Sequence, residues 1–213
     1  MARSTKEEAL ETRSRILDAA ELVFHERGVS HTSLADVAKA ADVTRGAIYW
    51  HFKNKSDLFD AMCERVTLPM EAVLEENASP QVADPLGQFL RSGVYVLTLA
   101  ATDEHCRRVF DIIYNKCEFA DHNDPILVRQ RECHADGMLR LGQILANAIA
   151  RGQLPATLNI RLARQMAHST FSGLLADWFF APDSFDLVKD GEQILAASLH
   201  ALKIAPSLQN PEA

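Results

Sequence analysis

Cysteine is scarce in this 213-residue chain: Cys63, Cys106, Cys117 and Cys133 are widely spaced and form no C-x-x-C pair. That excludes a disulfide framework and the familiar zinc spacings; for Cys106, Cys117 and Cys133, partly buried structural thiols stand against a redox-sensing role. No apolar run approaches the roughly eighteen residues of a membrane span, and Met1 to Thr12 is polar and charged where a secretory signal needs an apolar core. A cytoplasmic protein with no membrane partner is expected. There is no G-x-S-x-G, no phosphate-binding glycine loop, no H-E-x-x-H and no paired metal-ligand spacing, so no catalytic residue, metal or cofactor is implied. An enzyme would have to use His134 or His168 with a nearby carboxylate, and a single histidine on an apolar helix is ordinarily just hydrogen-bonded in the core. Alternating strand patterns, internal repeats and low-complexity tracts are missing too, which makes the class all-α.

Positive charge is also in deficit, with 22 Lys and Arg against 29 Asp and Glu, a formal net charge of -7. A nonspecific nucleic-acid coat is therefore excluded, because binding by counterion release scales with the phosphates a protein neutralises. The charge is unevenly divided. Residues 1 to 60 hold nine basic and ten acidic residues, whereas residues 61 to 213 hold 13 and 19, so the later part is not expected to touch DNA. With 47% hydrophobic residues the chain can bury a sizeable core without staples, in one domain or in two; two is the reading adopted.

What is present is concentrated between Thr32 and Phe59, TSLADVAKAADVTRGAIYWHFKNKSDLF. Ser33 is placed to cap a helix whose Leu34, Val37, Ala38 and Ala41 follow the spacing of a buried stripe, with Asp36 at the capping-box position. Ala41-Asp42-Val43 makes a turn, Asp tolerating the left-handed backbone better than most side chains, and Thr44 caps a second helix running through Trp50. Ile48 and Phe52 face inward. Arg45 and Tyr49 pair on another ridge. A helix in the major groove needs donors near its N-terminus for base edges and others for phosphates, and Thr44, Arg45, Tyr49 and His51 supply both. Gly46 allows close backbone approach. Asn54, with Asp57 three residues on, caps the next helix, which presents Lys55 and free amides to an anion. From Val43 to Ser56 there is no acidic residue. The alternative is a helical hairpin with a solvated basic face.

Together with the first helix ETRSRILDAAELVFHERG, this segment resembles the TetR-type transcriptional repressors. The opening ARSTKEEALETR, TRGAIYWHFKNK, KCEF at Lys116 to Phe119 and RGQLP at Arg151 to Pro155 resemble the subgroup that represses multidrug efflux-pump operons. The likeness covers roughly the first sixty residues strongly and is patchy beyond. Where the family usually has Gly in the turn, this chain has Asp42. The resemblance implies an N-terminal three-helix helix-turn-helix domain, residues 1–54, and a C-terminal helical ligand-binding and dimerisation domain, residues 55–213, beginning with a linker helix. The expected DNA-binding set is Ser33, Thr44, Arg45, Gly46, Tyr49, Trp50, His51 and Lys55, with Lys6 and Arg13 reaching phosphates or remaining merely solvated.

Periodicity and punctuation predict helices over about 6–27, 55–77, 85 onward, 103–115, 125–151, 160–180 and 187–204, about nine with the two short ones, and a frayed tail after Ala205. Small and apolar residues of the last two helices, among them Leu174, Trp178, Ile194, Leu195, Leu199 and Leu202, are expected to form a dimer interface, as a twofold operator with half-sites roughly 34 Å apart requires. They could equally pack within one chain. Val96, Phe110, Ile113, Tyr114, Met138, Leu141, His168, Phe171 and Leu175 are candidates for a cavity accepting an apolar or amphiphilic inducer, ordinary core being the alternative. Asp111, Glu118, Asp136 and Asp177 lie near these aromatics in sequence and suggest either a site for an organic cation or solvated carboxylates. The expected function is ligand-responsive repression by a dimer on operator DNA, with control of another operon, or an apolar-ligand carrier or enzyme, as the rivals.

Overall fold

The computed structural model describes residues 2–118, 121–182 and 184–210; Phe119 of the KCEF segment lies outside them. The described residues form nine α-helices and no strand: α1 Ala2–Arg27, α2 Leu34–Ala40, α3 Arg45–His51, α4 Lys55–Asn77, α5 Pro85–Thr102, α6 Glu104–Asn115, α7 Pro125–Ala150, α8 Ile160–Phe180 and α9 Lys189–Ile204. The first helix begins four residues earlier than its periodicity predicts. The segment after Ala205 is not frayed as far as Asn210. Pro206–Leu208 make a 3-10 turn, Leu208 O accepts from Asn159 N at 2.8 Å, and Asn210 N donates to Thr157 O at 2.7 Å. Pairing with the segment ahead of α8 gives this backbone partners that its polar sequence did not announce.

The chain falls into two compact units, one of residues 1–67 with 105–130 and the other of 68–104 with 131–213. The division cuts α4 just before Pro69, whose missing N–H removes a bond from that helix. In the first unit α1 packs on α2 and α2 on α3. Ile16, Ala20 and Phe24 of α1, Val37 of α2, Ile48 of α3 and Leu58 of α4 are fully buried, and Phe24 meets Phe59 edge-on at 6.0 Å between ring centroids. These are the apolar stripes read from the sequence.

Helix α6 is fastened to α1 by charge. Glu21 stands inside the apolar register of α1, only 5% exposed, and receives Nε of Arg108 and a ring nitrogen of His105. His25 meets Asp111 at 3.1 Å, and Val29 N donates to Lys116 O at 2.9 Å beyond them. Nearby Cys117 is partly buried; burial first, and then the charge of Asp124, pushes its thiol up to about 12, far from a reactive thiolate.

In the second unit α9 packs against α5 and α8. A methyl group at Gly191 would stand 2.7 Å from Leu97 Cδ1, and one at Gly93 3.2 Å from Leu195 Cδ1, so glycine lets α5 and α9 approach closely. Leu141, Leu145, Ala163, Ala167, Leu199 and Leu202 belong to one buried cluster of this unit.

Candidate nucleic-acid interface

The helix-turn-helix owes its shape to local hydrogen bonds. Ser33 Oγ accepts from Asp36 N at 3.2 Å while the Asp36 carboxylate accepts from Ser33 N at 2.9 Å, a complete capping box. Hydrogen bonds from Ser33 hold the Asp36 carboxyl below its usual range. Helix α2 ends with Val43 N donating to Ala38 O and Asp42 N to Lys39 O, the paired bonds of a Schellman ending. This ending requires a left-handed residue. Asp42 takes φ 52°, and among the described non-glycine residues no other positive φ occurs. Thr44 then caps α3, accepting from Ala47 N at 3.1 Å.

With Ile48 0% and Phe52 1% exposed, the opposite face of α3 is turned outward. Thr44, Arg45 and Gly46 are exposed, Tyr49 is 48% and Trp50 73% exposed, and His51 is partly buried. The Arg45 guanidinium lies 5.7 Å from the centre of the Tyr49 ring, which orients it along the outward ridge without using its hydrogen-bond donors. Trp50 and His51 stand edge-on at 4.5 Å. Burial, and next the Arg13 guanidinium, lower the pKa of His51 below the ordinary 6.5. Neutral imidazole there offers one donor and one acceptor rather than a charge.

Other members of the expected set have different immediate partners. Ser33 is exposed, but its hydroxyl is already committed to the cap, donating to Asp36 as well as accepting from it. Lys55 reaches back to the end of α1, donating to Val29 O at 2.7 Å and Ser30 O at 3.3 Å. It clamps that turn, so the ammonium expected to face outward is largely taken by carbonyls. Asn54 Oδ1 accepts from Asp57 N at 2.8 Å, but Asp57 returns its carboxylate to Lys53 N at 2.9 Å, one residue before the box position. Arg13 lies over the Phe52 ring at 5.2 Å, while Lys6 is exposed. Sequence reading overlooked Glu21; its signal was a carboxylate four residues after Leu17 and three before Phe24, within a buried stripe.

Of the expected ligand residues, Phe110, Ile113 and Tyr114 belong to the first unit; Val96, Met138, Leu141, His168, Phe171 and Leu175 belong to the second. Met138, Leu141 and Leu175 are buried; Val96, His168 and Phe171 are partly so. Of the carboxylates suggested for an organic cation, Asp111 accepts from Asn115 and pairs with His25, Glu118 pairs with His31 on an exposed surface, and Asp136 and Asp177 are exposed. Of the expected dimer residues, Leu174, Leu195, Leu199 and Leu202 are 1–7% exposed within their own chain. Trp178 is partly buried against Phe179, and Ile194 is 44% exposed.

Two short side-chain-capped helices, a left-handed turn between them and a polar outward face on the second define a helix-turn-helix transcriptional regulator. Comparison with known proteins agrees. Residues 16–62 match the bacterial regulatory proteins of the tetR family, and residues 84–204 match the C-terminal region of MAATS-type transcriptional repressors. The chain belongs to the TetR family of transcriptional regulators. It is 41% identical to the HTH-type transcriptional regulator AcrR of Shigella flexneri, over 99% of this chain and 98% of that one. Among solved structures it is similar to the SmeT–triclosan complex, at 32% identity and TM-score 0.84 over 95% of this chain and 96% of that chain. It is similar also to SmeT described as the repressor of the Stenotrophomonas maltophilia multidrug efflux pump SmeDEF, at 32% identity and TM-score 0.80, with 94% of each chain covered.

Proposed function

We propose that this chain is a cytoplasmic, ligand-responsive repressor that binds a twofold operator as a homodimer and is released by an apolar or amphiphilic small molecule, in control of a multidrug efflux operon. Residues 1–54 contact DNA, and residues 55–213 supply ligand binding and dimerisation. The observation that carries the proposal is the outward face of α3, where Arg45 and Tyr49 stand exposed over a core closed by Ile48 and Phe52. Support for efflux control comes from SmeT, which has the same fold along nearly the whole chain and represses an efflux pump; support for a small-molecule ligand comes from its triclosan complex.

The dimer face we propose lies beside the leucines named above. Ile194, Ala197, Ala201 and Ile204 recur at three- and four-residue spacing along α9, with Ile194 44% and Ile204 64% exposed. On α8, Phe180 is 88% exposed, and nothing lies within 4 Å of where a Gly173 Cβ would be. A bare glycine on α8 and exposed isoleucines on α9 suit close approach of a second copy.

Release requires the ligand to prefer the DNA-incompetent state. A hundredfold loss of operator affinity corresponds to about 2.7 kcal/mol of differential binding, transmitted along α4, which has residues in both units. Footprinting on DNA upstream of the chain's own gene, with and without antibiotics, dyes and bile-type amphiphiles, tests the proposal. Protection of a twofold site that is lost with at least one compound is expected; no protection on any neighbouring promoter would overturn it.

A further inference from the structure

Among the described residues, Nε of Arg164 is buried and has no hydrogen-bond partner. Arg164 lies on α8, partly buried, and no carboxylate of the described residues pairs with it. Its Nη1 and Cδ stand 3.8 and 3.9 Å from where a Cβ on Gly142 of α7 would be, so the glycine leaves the side chain its place between the helices. Such a guanidinium cannot relieve its burial by losing a proton, as a lysine would. Left alone, a buried charged donor is costly, and an anion is the chemistry that satisfies it.

The surroundings suit an anion carried by an apolar molecule. One turn along α8, His168 shares the face of Arg164 and meets His134 of α7 edge-on, ring centroids 4.7 Å apart. Burial, and then His134, lower the pKa of His168, so that near neutral pH it offers an N–H without a second charge. Leu141, Ala163 and Ala167, next in sequence to Gly142, Arg164 and His168, belong to the buried apolar core of this unit. The acidic side chains considered for this half of the chain, Asp136 and Asp177, are exposed.

We propose that Arg164 is the anion-binding end of a small-molecule site on α7 and α8, with His168 and His134 beside it, and that the ligands of this chain carry a carboxylate on an apolar body. The proposal rests on the ligand-responsive reading above and fixes the sign of the ligand's charge, opposite to the organic cation that the sequence suggested.

Calorimetry on the full chain at pH 8 with octanoate, octanol and octyltrimethylammonium tests it. Octanoate is expected to bind at least tenfold more tightly than octanol, and the cation more weakly than either. Arg164→Met brings octanoate down to the affinity of octanol, which itself stays unchanged, and Arg164→Lys restores part of the preference. The Tm of the unliganded Arg164→Met variant stays at or above that of the unsubstituted chain, since the substitution removes a charge that had no partner. Equal affinities for octanoate and octanol, an unchanged ratio in Arg164→Met, no binding of any of the three, or a lowered Tm would each overturn the proposal. So would a weakened dimer in Arg164→Met with the ratio intact, which would give the arginine to a carboxylate of a second copy. Operator binding by the same preparations without ligand is measured in parallel, so that loss of the regulator reading itself is seen separately.

Discussion

Asp42 shows how one residue can be both a departure from a family and a working solution. The Schellman ending of α2 demands a left-handed residue, and Asp adopts φ 52° there at some cost, which glycine avoids. Asp42→Gly is expected to raise stability by about 0.5–1 kcal/mol, and Asp42→Val to lower it by about 1–2 kcal/mol, both read by denaturant unfolding; a loss of stability in the glycine variant would mean that the Asp side chain holds the turn. Imidazoles give a second residue-scale expectation. His51 and His168 both have folded pKa values depressed below 6.5, chiefly by burial. The unfolded chain therefore binds more protons than the folded one once the pH drops to about 6.5. Their contribution is full above that pH and is lost as the pH falls through the lower, folded values. Tm should drop between pH 7.5 and 5.5, and His168→Phe should reduce the drop; an identical profile in the variant would contradict the assignment.

At the scale of elements, α1 and α6 act as a pair. Glu21, buried between Arg108 and His105, holds the Arg108 guanidinium in a charged hydrogen bond that a neutral side chain in its place would not make. Glu21→Gln should cost about 3 kcal/mol, and the double variant Glu21→Met with Arg108→Met should recover most of it; a loss below about 1 kcal/mol in the single variant would show the pair to be solvent-screened. The helices themselves were legible in the sequence, because caps and apolar spacing are local. Ser33, Thr44, Asp42 and the Ile48–Phe52 stripe do what their residue types predict, and α8 spans the expected residues. What was not legible is long-range. Nothing near Lys55 announces that its ammonium reaches carbonyls 25 and 26 residues away. Nor does anything near Glu104 reveal that α6 shares a compact unit with α1, or near Leu195, Leu199 and Leu202 that their own chain buries them. An apolar face tells that it will be covered, not by what.

For the whole molecule, the proposed dimer separates residues that neighbour each other in sequence. Ile194→Asp should dissociate the dimer in sedimentation and abolish operator binding while the helical CD spectrum is retained, whereas Leu195→Asp, at a site 6% exposed, should lose the fold itself. Unfolding of both variants would mean that Ile194 belongs to the same core. The central claim, however, concerns α3: its exposed ridge reads bases from Arg45 while the protein remains acidic overall. The most direct measurement is a titration of fluorescent operator and of scrambled DNA across salt concentrations with the full chain and Arg45→Ala. The account predicts that Arg45→Ala loses about 1–3 kcal/mol on the operator and much less on scrambled DNA. Equal losses on both sequences, or none on either, would contradict it.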